Sequence, residues 1–84
     1  MISLIPSKLF MSDLNTVLDD GDKLKKICDC IDTLALQRKP DKEFNDHKLY
    51  GRLEGFRECI IDSRYHLIYR ENENFLVLLR LKKI

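Results

Sequence analysis

Apolar residues change their period along this chain, and the changes divide it into elements. Ile2 to Ile5 is a short β-branched run that predicts a strand, closed by Pro6, which suits the start of a helix. From Ser7 to Asp19 the apolar positions Leu9/Phe10, Leu14 and Val17/Leu18 recur at helical spacing, and Gly21 predicts the stop. Asp22 predicts the cap of a second helix, in which Leu24, Ile27/Cys28, Ile31 and Leu34/Ala35 form an amphipathic stripe. Gln37-Arg38-Lys39 completes that helix and Pro40 forbids further extension. A connection this short predicts an antiparallel helical hairpin.

After Pro40 the pattern turns polar up to residue 55, with Gly51 and Gly55 expected to take positive φ in turns. Three strand-like runs follow: Phe56–Asp62, Tyr65–Glu71 and Phe75–Leu81. Ser63-Arg64 and Asn72-Glu73-Asn74 are turns short enough to require an antiparallel meander. The expected fold is α+β, in the order β-α-α-β-β-β, with an antiparallel sheet covered on one face by the helical hairpin. Its length suits one domain over residues 1–84. Strict alternation in the last strand puts Phe75, Val77, Leu79 and Leu81 under the helices. Leu76, Leu78 and Arg80 then form a second, partly apolar face suited to a partner.

Composition narrows the function classes without choosing among them. At 44% apolar and 35% charged residues the chain is neither disordered nor fibrous in character. No apolar run approaches the roughly 20 residues that span a bilayer. MISLIPSKLFMSDL lacks the long apolar segment of a signal peptide, so a cytoplasmic location with no membrane contact is expected. Cys28, Cys30 and Cys59 are an odd set without a disulfide framework, and the first two point to nearly opposite sides of a helix. Two distant histidines make no zinc pattern, so neither metal nor cofactor is expected. Residues 1–46 carry seven Lys/Arg against nine Asp/Glu, net −2, and residues 47–84 carry eight against five, net +3. A basic C-terminal half can face phosphate, although an ordinary solvated surface has the same balance.

The stretch Asp46–Cys59, DHKLYGRLEGFREC, followed by YHLIYR and FLVLLRL, resembles the YafQ-like branch of the RelE/ParE superfamily of bacterial type II toxins. That branch carries a pattern close to D-H-x-L-x-G-x-x-x-G-[FY]-R-[ED]-C-H-I, then L-[IV]-Y and L-x-L-x-R. Asp46, His47, Leu49, Gly51, Gly55, Phe56, Arg57, Glu58, Cys59 and Ile61 fall in its register, as do Leu67, Ile68, Tyr69, Leu76, Leu78 and Arg80. The resemblance implies ribosome-dependent cleavage of mRNA by attack of a 2′-hydroxyl on the adjacent phosphate. Such a site needs a base, an acid and a cation. It implies His47 as acid or base and Arg80 as the phosphate-holding cation. Tyr65 would stack on a base, with Arg64, Lys82 and Lys83 as further RNA contacts. It also implies a cognate antitoxin as partner, together with ribosome and mRNA, and a monomer when free.

The match has gaps. Ile60 stands where the family has a histidine, and Arg64 where an acidic residue is common. The C-terminal G-[ST]-H-[SA]-x-L-F motif is not matched, since Lys82, Lys83 and Ile84 occupy its first positions. Weakened cleavage is therefore expected. The alternative is a non-catalytic RelE/ParE-fold binding protein, either an antitoxin-binding remnant or a gyrase-directed inhibitor. His66 lies beside Tyr65 on the opposite face of its strand, so if Tyr65 lines the cleft, His66 faces the helices. His47 is open to a purely structural role, bonding a carbonyl in its loop. Arg57 is expected to fix the fold through helix carboxylates such as those of Asp19–Asp22, and the antitoxin to cover the face of Leu76, Leu78 and Arg80.

Overall fold

Polar caps set where the helices begin. In the computed structural model, which describes residues 2–84, the Ser7 hydroxyl accepts from the Phe10 N–H and opens α1 (Lys8–Asn15). Asp20, not Asp22, caps α2 (Gly21–Ala35), accepting from the Lys23 N–H at 3.1 Å. Gly21 thus starts the second helix instead of ending the first. α1 stops short of Asp19 because the Thr16 N–H and hydroxyl both turn back onto the Asp13 carbonyl.

β1 (Ser3–Pro6), β2 (His47–Lys48), β3 (Arg57–Ile60), β4 (Tyr65–Glu71) and β5 (Phe75–Lys83) form one sheet in the order β1-β5-β4-β3-β2. The fold is α+β as expected, and β2 to β5 are antiparallel. β1 pairs parallel with β5, from Ser3↔Phe75 to Pro6↔Leu78, so the sheet is mixed. Pro6 is tolerated inside β1 because that strand is at the sheet edge. The polar stretch hides β2 and single 3₁₀ turns at Lys42–Phe44 and Gly51–Leu53. Gly51 and Gly55 take the expected positive φ, +72° and +92°. Gly55→Ala meets no steric contact, so its expected cost of about 1 kcal/mol is conformational alone. A urea melt indistinguishable from the parent would show that the turn relaxes around the substitution.

A single bulge decides what each face of the sheet carries. Tyr69 pairs with Leu78 and Ile68 with Arg80, which leaves Leu79 without an opposite partner on β4. The extra residue reverses the alternation. Leu76 and Leu78 are 0% and 3% exposed and join the core with Tyr69, Ile27, Cys30, Leu34 and Phe10. Beyond the bulge Leu81 is in that same core, while Arg80 emerges on the other face. The expected partner-binding face of Leu76, Leu78 and Arg80 therefore does not exist, and Phe75, Val77 and Leu79 are not the buried row. α1 is fastened along the edge of β5 where β1 ends. The Ser7 N–H donates to the Leu78 carbonyl at 2.9 Å, its hydroxyl to the Leu79 carbonyl at 2.6 Å, and the Leu81 N–H to Asp13 at 3.0 Å.

Candidate functional site: the open face of the sheet

Asp46 and His47 are neighbours in sequence and serve opposite faces of the sheet. On the helix side, Arg57 Nε and Nη2 donate to the Asp46 carboxylate at 3.2 and 2.9 Å, the Tyr69 hydroxyl donates to it, and Cys59 Sγ lies 3.8 Å away. Burial raises the Asp46 carboxyl, but the bonds from Arg57 and Tyr69 outweigh it and hold the group below the usual carboxylate range. The carboxylate in turn raises the Arg57 guanidinium, and burial together with Asp46 pushes the Tyr69 phenol far above its ordinary value. Cys59, beside Cys30 and buried, is raised too, so it is an unreactive thiol. Arg57 thus meets Asp46 and not the acids at Asp19–Asp22. The clamp anchors the start of the two-residue strand β2, and hence His47.

On the open side, His47 sits directly opposite Glu58. Its Nε2 lies 3.1 Å from Glu58 Oε1, and Nδ1 is 2.6 Å from the Asn45 carbonyl. A carbonyl only accepts, so Nδ1 carries the proton of that bond. His66 stands diagonally across β3, opposite Ile60, with Nδ1 3.4 Å from Glu58 Oε2. Lys82 is directly opposite His66, and Arg80 opposite Ile68. His47, Glu58, His66, Lys82 and Arg80 therefore share one face across four strands. His66 is therefore on the open face and not under the helices as expected, while Tyr65, on the helix side of β4, still lines the cleft that holds Arg80. Tyr65 is 8% exposed on the helix side, with the Lys23 ammonium 4.4 Å from its ring centre, so one face of that ring is already occupied.

Arg80 projects into a cleft of about 720 Å³ lined by Leu9, Asp13, Tyr65, Ile68, Lys82 and Lys83 among others. Its Nε and Nη2 donate to Asp13 at 2.8 and 3.0 Å, a two-bond fork of the kind a phosphate would also accept. Arg80 holds the Asp13 carboxyl below its ordinary value, with help from the Leu81 N–H against partial burial. Asp13 raises Arg80 in return. Lys83 pairs with Tyr65 on the helix side. Arg64 lies in the β3–β4 turn, where its N–H donates to Asp62 at 2.8 Å and its carbonyl accepts from Ile84. Of the residues expected at the site, His47, Arg80 and Lys82 share one face, Tyr65 and Lys83 reach the Arg80 cleft from the helix side of their strands, and Arg64 does not join them.

The arrangement offers two imidazoles for proton transfer, a carboxylate between them to orient both, and a guanidinium for a phosphate. Sequence reasoning missed Glu58, His66 and Asp13 in these positions. Glu58 could have been found from the register of β2 on β3; nothing in the sequence points to Asp13. Among the described residues no three His, Cys, Asp or Glu side chains are arranged to hold a metal ion. No helix among them is long and apolar enough to cross a membrane.

The family model for a bacterial toxin of type II toxin-antitoxin systems, YafQ, matches residues 2–83. No curated protein matches the chain. Among solved structures, a copper-bound mutant toxin from Helicobacter pylori is 34% identical with a TM-score of 0.90, over 99% of this chain and 94% of that one. The toxin–antitoxin complex DinJ-YafQ from E. coli aligns at 18% identity and a TM-score of 0.85, over 98% and 91% of the two chains. A YoeB/ParE toxin from Agrobacterium tumefaciens shares the fold at 15% identity and a TM-score of 0.81, over 99% of both.

Proposed function

The chain belongs to the YafQ family of toxins of bacterial type II toxin-antitoxin systems, and from that premise we propose that it cleaves mRNA on the ribosome. The observation that supports this most is the bulge at Leu79, which turns Arg80 onto the face that carries His47. A phosphate held by Arg80 would lie on the face that carries both imidazoles, and Lys82, opposite His66, adds a second positive charge there. His47 acts as acid or base at the scissile linkage. Its bond to the Asn45 carbonyl is compatible with that role, because it fixes Nδ1 and leaves Nε2 on the open face, against Glu58.

A cognate antitoxin is the proposed partner, as DinJ is for the E. coli YafQ of similar fold. With Leu76 and Leu78 in the core, that antitoxin must use another surface. Ile60, standing on the open face where the family has a histidine, favours the second reading of a protein that binds without cutting. Primer extension on a defined mRNA with purified ribosomes and purified protein separates the two. Cuts at particular codons are expected, present only with ribosomes and lost in His47→Ala. No cuts at any excess of protein would leave the binding reading alone.

A further inference from the structure

Resting on the proposed cleavage, we propose that His66 is a second catalytic residue of this site, the general base, and that Glu58 is the positioning residue for both histidines. His66 lies on the open face, one strand from the Arg80 and Lys82 cations, and its side chain is about one-fifth exposed. Its Nδ1 faces Glu58 Oε2 at 3.4 Å. A carboxylate at that nitrogen favours the proton there, and so leaves the lone pair on Nε2, the nitrogen turned away from Glu58. That is the tautomer a base requires. His47 addresses the other oxygen of Glu58, at 3.1 Å, with its Nδ1 proton committed to the Asn45 carbonyl. Both partners of His47 only accept, so the two contacts are satisfied together when the ring carries both protons, the form of an acid.

The roles balance. Nε2 of His66 takes the proton of the 2′-hydroxyl as its oxygen bonds to phosphorus. The bond from phosphorus to the 5′-oxygen breaks, and that oxygen takes the Nε2 proton of His47. The products are a 2′,3′-cyclic phosphate and a 5′-hydroxyl, and proton exchange with water restores both rings. Position 66 thereby supplies the proton acceptor that Ile60, directly opposite it, does not. Glu58 is held for this task from behind: Arg57, the preceding residue on β3, is locked to Asp46 on the other face, so the strand cannot slip.

Single-turnover cleavage on the ribosome tests the assignment, using a natural linkage and one whose bridging 5′-oxygen is replaced by sulfur. Sulfur leaves without a proton, so the modified linkage needs a base but no acid. His66→Gln is expected to slow both substrates about 100-fold, whereas His47→Ala slows the natural one by a similar factor and recovers on the sulfur one. Glu58→Gln is expected to slow the natural substrate about 10- to 100-fold without raising the ribosome concentration for half-maximal rate. Thermal melts matching the parent show that His66→Gln and Glu58→Gln keep the fold; if either unfolds, His66→Asn and Glu58→Asp replace it in the same comparison. Parent-like cleavage by a folded His66 variant overturns the inference while leaving the cleavage itself intact. Cleavage abolished by EDTA and restored by zinc overturns it too, because the histidines would then be ligands. A parent protein that never cuts removes both readings.

Discussion

Replacing Asp46 by alanine is expected to lower stability by about 2–4 kcal/mol and the melting temperature by about 10–25 °C. Asp46 receives two guanidinium N–H bonds, the Tyr69 hydroxyl and the Cys59 thiol contact, and its removal strands Arg57 beside a buried phenol. Breaking a sealed pair costs about 3–5 kcal/mol, but Arg57 is partly open to water and recovers some hydration. A domain of this size holds only about 4–12 kcal/mol in total, so the loss is a large share. Asp46→Asn keeps an accepting oxygen and is expected to lose about half as much. The pH profile carries a second signature. The folded carboxyl of Asp46 lies below its unfolded value, so its contribution is complete above roughly pH 4 and is lost as pH falls through the folded value. Asp13 and Asp62 act in the same sense. The Tyr69 phenol is raised, so its contribution is complete below roughly pH 10 and is lost at more alkaline pH. Denaturant melts of parent and Asp46→Ala across that range give the test, and a variant that melts within 3 °C of the parent would refute the clamp.

The sequence pattern carried the element types but not their faces. Helical spacing located both helices, and short turns located β4 and β5 with their antiparallel pairing. Helix boundaries failed where side chains compete for backbone groups: Asp20 captured a cap that Asp22 could equally have made. β2 was invisible because two residues cannot show a period, and its existence depends on Asp46 reaching Arg57, which follows it by eleven positions. The largest error came from one residue. Alternation counted through Leu79 assigned Leu76 and Leu78 to an open face, because a bulge leaves no trace in the hydrophobic pattern. His66 was misplaced for a related reason: the face of β4 was inferred from the family's stacking residue, whereas Tyr65 lines the Arg80 cleft from the helix side, with Lys23 against its ring. The motif singled out His47 and Arg80, which the register does put on one face, while their contacts to Glu58 and Asp13 came only from the tertiary structure.

Arg80→Ala is expected to reduce ribosome-dependent cleavage by about 100- to 1,000-fold, the usual consequence of deleting one preorganised donor to a developing anionic charge. Arg80→Lys should recover only a small part of that loss, because an ammonium cannot reproduce the two-bond fork that the guanidinium already presents to Asp13. The Asp13 contact makes the prediction sharper. In the free protein Asp13 occupies the fork, so on the proposed role of Arg80 the acid is expected both to prepare the guanidinium and to compete with the phosphate. Asp13→Asn retains an oxygen for the Leu81 N–H, so α1 stays fastened to the β5 edge, but sheds the competing charge. It should therefore bind RNA more tightly than the parent at low salt, with the difference fading as ionic strength rises. Rates for the three variants on one mRNA, with melts to confirm folding, decide the matter. If Arg80→Ala cuts at the parental rate, Arg80 is only the anchor of α1 and the phosphate must be held elsewhere. If Asp13→Asn loses cleavage while folded, Asp13 is a positioning residue for Arg80 and not a competitor for it.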